Sequence, residues 1–290
     1  MKVKEIKIKT GNAKQAKLVV YLQEEYPEMY GDRKRPMILV CPGGGYTHIS
    51  PREAEPIALQ FMSVGCNAAV LWYDIADDEV RFPQQVFELA TAMSHIRGKA
   101  EEYHIDKEKI LVCGFSAGGH LAASLGCFWN QDWFKKYMKK YQKATPEDYK
   151  PNGLILAYPV ITSGEHAHRG SFDNLLGVKR EEGCDIVGLA GKELEHYVSL
   201  EHHVTADVPP VFMWHTFEDQ AVPLQNSLLF AMALKEAGVS LEYHVFPHGG
   251  HGYALGTKQT ATLSQKEIDV QIPQWITWCK NWLDLNYHIF

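Results

Sequence analysis

The chain has 290 residues, 46% of them hydrophobic and 22% charged, with a net charge of −6 at pH 7 and a pI near 6.2. That balance fits a globular protein and argues against a nucleic-acid surface, since no basic stripe runs through it. No apolar run is long enough to cross a bilayer, so neither nucleic acid nor membrane is expected as a partner.

The first residues, MKVKEIKIKT, alternate Val3, Ile6 and Ile8 with lysines. They predict an edge strand over 3–9; a signal peptide would need an apolar core and a small-residue cleavage site. Further strands are predicted at 17–22, 37–42 (MILVCP), 67–73 (NAAVLWY), 109–114 (KILVCG), 153–159 (GLILAYP), 210–216 (PVFMWHT) and 241–247 (LEYHVFP). Helical periodicity covers 53–64, 83–103, 117–127 and 223–237, with a last amphipathic helix over 264–285. Apolar strands separated by helices imply a mostly parallel eight-stranded sheet covered on both faces. The two leading strands have no helix between them and are expected as antiparallel additions at one edge. No repeat, low-complexity tract or composition break marks a linker, which makes residues 1–290 a single α/β domain.

Two segments interrupt the alternation. Over 128–150, Trp133, Phe134, Tyr137, Met138 and Tyr141 share one helical face, with Lys135, Lys136, Lys139, Lys140 and Lys143 largely on the other. This reads either as a surface helix packed by its aromatic side or as a lid or pocket wall. The segment 160–208, rich in Gly, His and Glu, is too long for a plain connection and is expected at the rim of the site. Six scattered cysteines without a C-x-x-C pair read as buried free thiols in a reducing cytoplasm.

The chemistry-bearing stretch is LVCGFSAGGH, residues 111–120. Gly114-Phe115-Ser116-Ala117-Gly118 has the form G-x-S-x-G between a strand and a helix, where a serine is held on a strained turn with its hydroxyl exposed. A serine hydroxyl attacks at neutral pH only when a histidine takes its proton and a carboxylate orients that histidine. On sheets with such an elbow, acid and histidine follow the serine in that order, each after a strand. WHTFEDQAVP offers Asp219 in the turn before Pro223, with Glu218 as a rival. FPHGGHGYA offers His251, which the Gly249-Gly250 pair leaves free to reach back, with His248 as a rival. A metal reading of HGGH with His215, or of EHH at 201–203, lacks any matched ligand set among the 14 histidines. No metal or cofactor is expected.

Acyl transfer also needs donors for the charge that develops on the carbonyl oxygen. CPGGGY (41–46) follows the third strand. Its glycines can turn their amides toward a ligand, which assigns the oxyanion hole to the N–H groups of Gly44, Gly45 and Ala117. Serine, acid, histidine and glycine loop occur in one consistent order, which identifies Ser116 as a nucleophile.

The segments CPGGGY, SPREAEPIA, GFSAGGHLAASLG, YPVITSGEHAHRGSFDNLLG, PPVFMWHTFEDQAVPLQNSLLFAMAL and FPHGGHG span about residues 36–255. In these the chain resembles the α/β-hydrolase superfamily, its branch related to hormone-sensitive lipase, and within it bacterial acetyl-xylan-esterase-like enzymes. The loop reads Pro42-Gly-Gly-Gly where lipases of that branch have H-G-G-G, which argues against a straightforward lipase. The resemblance implies removal of short acyl groups, typically acetyl, from sugars or oligosaccharides. Tyr46 is the expected substrate contact. Tyr46, Trp129 and Trp133 are candidates to stack on sugar rings or to belong to the core. His120 reads more readily as a packed helix residue than as a second base, and Arg169 either faces the pocket or fixes the 160–180 loop. A serine peptidase or arylformamidase on the same fold, and an inactive binding scaffold, are the alternatives. Self-association to a homo-oligomer is left open.

Overall fold

The apolar segments at 37–42, 67–73, 109–114, 153–159 and 210–216 lie side by side in the middle of one eight-stranded sheet. The computed structural model describes residues 1–26, 28, 34–177 and 179–289. Its strands are β1 (Lys2–Lys7), β2 (Lys17–Leu22), β3 (Arg35–Cys41), β4 (Asn67–Trp72), β5 (Ile105–Phe115), β6 (Leu154–Ala157), β7 (Val211–Thr216) and β8 (Leu241–Phe246). They are ordered β1-β2-β4-β3-β5-β6-β7-β8. The pairs β1–β2 and β2–β4 are antiparallel and every other pair is parallel. The eight-stranded, mostly parallel sheet with an antiparallel edge is therefore as the sequence predicts. β1 leaves alternate residues exposed with lysines among them, whereas every residue of β3, β6 and β7 is buried. Unbroken apolar strands need cover on both faces, and lysines blunt a free edge.

The helices are α1 (Glu55–Ser63), α2 (Gln84–Gly98), α3 (Ala117–Phe128), α4 (Asp132–Gln142), α5 (Pro146–Tyr149), α6 (Arg169–Leu176), α7 (Lys179–Glu182), α8 (Gly191–Tyr197), α9 (Gln225–Glu236) and α10 (Gln274–Tyr287). The period-2 alternation of a strand divides the core between them. Met37, Leu39 and Cys41 join a cluster with Phe87 and Met93 of α2, Leu121 of α3 and Phe230 of α9. Ile38 and Val40 face the opposite layer, with Ile57 and Phe61 of α1 and Trp275 and Trp282 of α10. Truncating a residue such as Leu39 to alanine would cost about 2–5 kcal/mol, because neither layer can collapse onto the gap.

Three boundaries differ from the periodicity. The final helix starts at Gln274 and not at 264, because Pro273 has no N–H to give a helix interior and stands at its N-terminus. α2 stops at Gly98, five residues early. β5 extends back to Ile105 and pairs there with Arg35. Most of the aromatic face of the 128–150 segment is packing surface, with Tyr141 left exposed. Phe134 and Met138 are fully buried, and the Tyr137 ring stacks on Phe87 of α2. Trp133 meets Phe87 and Phe128 edge-on, so this face covers α2 and α3.

Because β3 to β8 run parallel, their C-terminal ends share one edge of the sheet. Pro42, Ser116, Tyr158, Asp219 and His251 all follow there, at the edge where open α/β sheets form their ligand crevices.

Candidate active site

Ser116 joins β5 to α3 with φ 52 and ψ −118. A residue with a side chain avoids that conformation, and the surroundings enforce it. The Ser116 amide donates to Ala157 O (3.0 Å), while its carbonyl accepts from Val160 N (3.0 Å) and His120 N (3.1 Å). The flanking glycines make this crossing possible. A Cβ on Gly114 would run into Gly118 and Ala122, and one on Gly118 would strike the carbonyls of Cys41 and Pro42. The turn thus aims the Ser116 hydroxyl out at the sheet's edge while leaving it only 8% exposed.

His251 comes from the loop after β8. Its Nε2 lies 2.7 Å from Ser116 Oγ, and its Nδ1 lies 2.6 Å from Asp219 Oδ2. Asp219 is fixed in its turn by the amides of Ala221 and Val222, both 2.9 Å from Oδ1. Burial pushes the Asp219 carboxyl upward. Hydrogen bonds from His215 and His251, the charge of His251 and the Val222 amide outweigh it and hold the group well below the usual carboxylate range. Asp219 is therefore an anion at neutral pH. The two rivals pair with each other outside this line. Glu218 Oε1 lies 3.1 Å from His248 Nδ1 and its Oε2 accepts from Gly249 N at 3.2 Å, both on the exposed side of the turn.

The glycine loop lies against the serine. A Cβ on Gly43 would come within 2.9 Å of Ser116 Cβ. The Gly43 amide is used, donating to Glu53 Oε2 at 2.8 Å. Gly44 (φ 131) and Gly45 (φ 61) take conformations open to glycine. Among the described residues, the amides of Gly44, Gly45 and Ala117 donate to no protein atom. The Ala117 amide is one of the open donors of a helix N-terminus. The loop is braced from beneath, where Tyr73 Oη donates to Pro42 O (2.7 Å) and Asn174 Nδ2 to Gly45 O (2.8 Å).

Tyr46 does not face a ligand. Its side chain is 1% exposed, its hydroxyl lies 2.9 Å from His120 Nδ1, and its ring meets Tyr73 edge-on. The expected substrate contact is thus corrected to a core brace under the glycine loop, since a positive φ at Tyr46 turns the chain and sends the side chain inward. Trp133 and Trp129 are partly buried and pack against the core cluster, and Trp129 donates to Asp207 O. His120 is buried, with Nε2 on Val198 O at 2.9 Å. Burial pushes its pKa down to about 4, so it stays neutral at neutral pH. Arg169 is exposed and ties down the 160–180 loop through Glu195 (2.6 Å) and Gly164 O (2.7 Å).

The 160–208 segment reaches the site. Asn226 Oδ1 accepts from Ile161 N and Thr162 N, and its Nδ2 donates to His166 O. Ser171 Oγ lies 3.8 Å from the position of a Cβ on Gly45 and bonds His168 Nδ1 at 2.8 Å. The His168 pKa is lowered by burial and then by the charge of His251. A cavity of about 870 Å³ between residues 7–13 and Tyr137 is lined by none of Ser116, Asp219 and His251.

Three residues with contacts to this machinery are not singled out by the motifs for a role in it: Glu53, Tyr158 and His215. Glu53 stands in SPREAEPIA and Tyr158 in YPVITSG, but what they touch comes from other segments. Tyr158 Oη donates to Glu53 Oε1 at 2.6 Å and accepts from Ala254 N at 2.9 Å. Among the described residues, no group of three or more His, Cys, Asp or Glu side chains converges to hold a metal ion. All six cysteines are buried, and none is joined to another in a disulfide.

The family model BD-FAE matches residues 24–234. The chain is 38% identical over 230 residues to endo-1,4-beta-xylanase B of Butyrivibrio fibrisolvens, covering 79% of this chain and 34% of that protein. It is 26% identical over 223 residues to an acetylxylan esterase of Xylanibacter ruminicola, covering 76% and 41%. The chain thus spans about a third to two fifths of the length of these two relatives. Among solved structures, an acetyl ester-xyloside bifunctional hydrolase from Caldicellulosiruptor lactoaceticus superposes with a TM-score of 0.75 at 33% identity, over 95% of this chain and 90% of that one. The fold is that of the α/β-hydrolases, and the chain belongs to the BD-FAE family.

Proposed function

We propose that the protein is a serine ester hydrolase that removes short acyl groups, acetyl foremost, from sugars or oligosaccharides. The observation that carries this reading is the continuous line from Ser116 Oγ through His251 to Asp219, with gaps of 2.7 and 2.6 Å, beside three open amides. Ser116 Oγ attacks the ester carbonyl carbon as His251 Nε2 takes its proton. Asp219 holds the opposite ring nitrogen and offsets the charge that forms on the imidazole. The carbonyl oxygen, now carrying negative charge, is met by the amides of Gly44, Gly45 and Ala117; one such donor is worth about 10²–10³ in turnover. Collapse expels the sugar alkoxide, which takes the proton from His251 and leaves Ser116 acylated. Water then attacks the acyl carbon, His251 again takes the proton, and the acid leaves with the serine restored. Every proton moved is held by Ser116, His251, water or substrate, and the cycle calls on no cofactor.

The acetyl-sugar substrate draws its support from a relative, an acetylxylan esterase, and from a structural neighbour, an acetyl ester-xyloside bifunctional hydrolase. The alcohol side of the ester would face the polar rim around His168 and Ser171. Release of acetate from acetylated xylo-oligosaccharides by the wild type, absent in Ser116→Ala, is the expected result. Faster turnover of dipeptidyl or formyl-aryl substrates would move the reading to a peptidase or an arylformamidase. Full turnover by the alanine variant would remove Ser116 from the chemistry.

A further inference from the structure

Asp219 is approached by two histidines. His215, at the end of β7, is wholly buried. Its Nε2 lies 2.9 Å from Val222 O and 3.2 Å from Asp219 Oδ2, the same oxygen that receives His251 Nδ1. Both neighbours of His215 Nε2 are acceptors, so that nitrogen carries a hydrogen and shares it between them. On the other side of the ring, Nδ1 lies 2.6 Å from Ser227 Oγ on α9. A hydroxyl there donates to the bare nitrogen, which fixes the tautomer with the hydrogen on Nε2. A buried imidazole is tolerated when both nitrogens are bonded, and this arrangement satisfies both.

The Asp219 carboxylate is thereby saturated. Oδ1 takes two backbone amides, and Oδ2 takes one N–H from each histidine. Each donor withdraws negative charge from the oxygen that faces the triad histidine. We infer that His215 is a positioning residue: through its Nε2–H it fixes the orientation of Asp219 and tempers how tightly that carboxylate holds the proton on His251. This inference rests on the Ser116–His251–Asp219 reading above and extends it.

The other groups around His251 are Ser116 on Nε2, the Tyr158 ring edge-on at 5.0 Å, and His168 from the rim. Glu53 lies behind Tyr158, and Glu218 with His248 stands on the exposed side of the turn. Around His215 the polar neighbours are Asp219, Ser227 and, beyond Ser227, Tyr243. Among the described residues no side chain besides the two histidines donates to Asp219, so removing His215 isolates one contribution.

The test is the pH profile of kcat/KM on p-nitrophenyl acetate for the wild type, His215→Phe, His215→Gln and Ser227→Ala, with Ser116→Ala as reference. Without the His215 donor, Asp219 keeps more of its charge and the proton on His251 is held harder, so activity sets in at higher pH. For His215→Phe the acid limb should move upward by about half a pH unit or more, and the plateau should fall about tenfold. Glutamine carries an amide donor near the position of Nε2 and should restore most of both. Ser227→Ala frees the ring to exchange tautomers and should move the limb the same way by less. An unmoved limb in His215→Phe, whatever its plateau, overturns the inference and leaves His215 a packing residue. If that variant does not fold, an unmoved limb in Ser227→Ala overturns it equally. Failure of the triad reading looks different, since Ser116→Ala would then retain turnover.

Discussion

The hydroxyl of Tyr158 donates to Glu53 across 2.6 Å and joins the two loops that flank Ser116. Glu53 holds the glycine loop through the Gly43 amide, while Tyr158 accepts from Ala254 three residues past His251 and sets its ring edge-on to that histidine. Gly43, whose amide Glu53 occupies, is the glycine left out of the proposed oxyanion hole. One buried carboxylate thus occupies the loop's first amide and leaves the next two open for the proposed oxyanion hole.

Tyr158→Phe should therefore affect turnover more than binding. Removing the hydroxyl leaves Glu53 short of a donor and the Ala254 amide without an acceptor. Each such buried loss is worth about 1–3 kcal/mol. Chemical denaturation should show a loss of that size, and kcat on p-nitrophenyl acetate should fall about tenfold with KM nearly unchanged. A variant that loses stability but keeps full kcat would reduce this bridge to a structural tie.

Strain at the elbow gives a second expectation. Ser116 sits at φ 52, where a side chain is disfavoured by about 1–3 kcal/mol and glycine is at ease. Ser116→Ala and Ser116→Gly should both abolish turnover. The glycine variant should be the more stable of the two, even after the extra freedom it gives the unfolded chain, about 0.4–1 kcal/mol. Equal denaturation midpoints for the pair would mean that the strain relieved is no more than that entropic cost and would overturn the expectation.

Most of the sheet is legible in the sequence because β3, β4, β5, β6 and β7 are apolar runs with no competing period, and helices separate nearly all of them. The order of serine, acid and histidine is legible for the same reason: each follows a strand end, and parallel strands bring those ends together. Direction is not legible. CPGGGY shows a tyrosine after three glycines, but only the folded loop shows that Tyr46 turns inward to His120. Glu53 and Tyr158 lie 105 positions apart, and nothing local to either segment announces the other. The end of α2 at Gly98 and the start of α10 at Gln274 are settled by single residues at the helix ends, which a periodicity smooths over.

The Tyr46–His120 contact carries a pH signature. Burial lowers the His120 pKa to about 4, against about 6.5 for a free histidine, with the Val198 carbonyl opposing the shift in part. The unfolded chain then binds a proton between these values that the folded chain does not. His120 contributes stability that is present in full above pH 6.5 and is lost as the pH falls towards 4, about 3 kcal/mol in all. Asparagine can accept from Tyr46 and donate to Val198 without titrating. His120→Asn should lower the stability at pH 7.5 yet lose less of it between pH 7.5 and 5 in urea denaturation. Identical losses over that range for variant and wild type would contradict the assignment.

On the proposed reading, the acyl group is limited by the space beside Ser116. Ser116 is almost covered, and neither the 870 Å³ cavity beside Tyr137 nor the 540 Å³ one beside His196 is lined by the serine or its histidine. Beside the glycine loop, His168, Ser171 and Asn174 are polar and held by hydrogen bonds, which favours a small acyl group over a fatty chain. In a deep apolar pocket each further methylene would add up to about 0.8 kcal/mol to transition-state binding, about fourfold in kcat/KM. In a shallow one the added carbons gain nothing and meet the rim. The specificity constant on p-nitrophenyl esters should therefore peak between acetate and butyrate and fall steeply by octanoate. A series measured on one preparation decides it: a maximum at eight carbons or more would mean that the rim opens onto a long acyl channel, and the sugar-deacetylase reading would give way to a lipase.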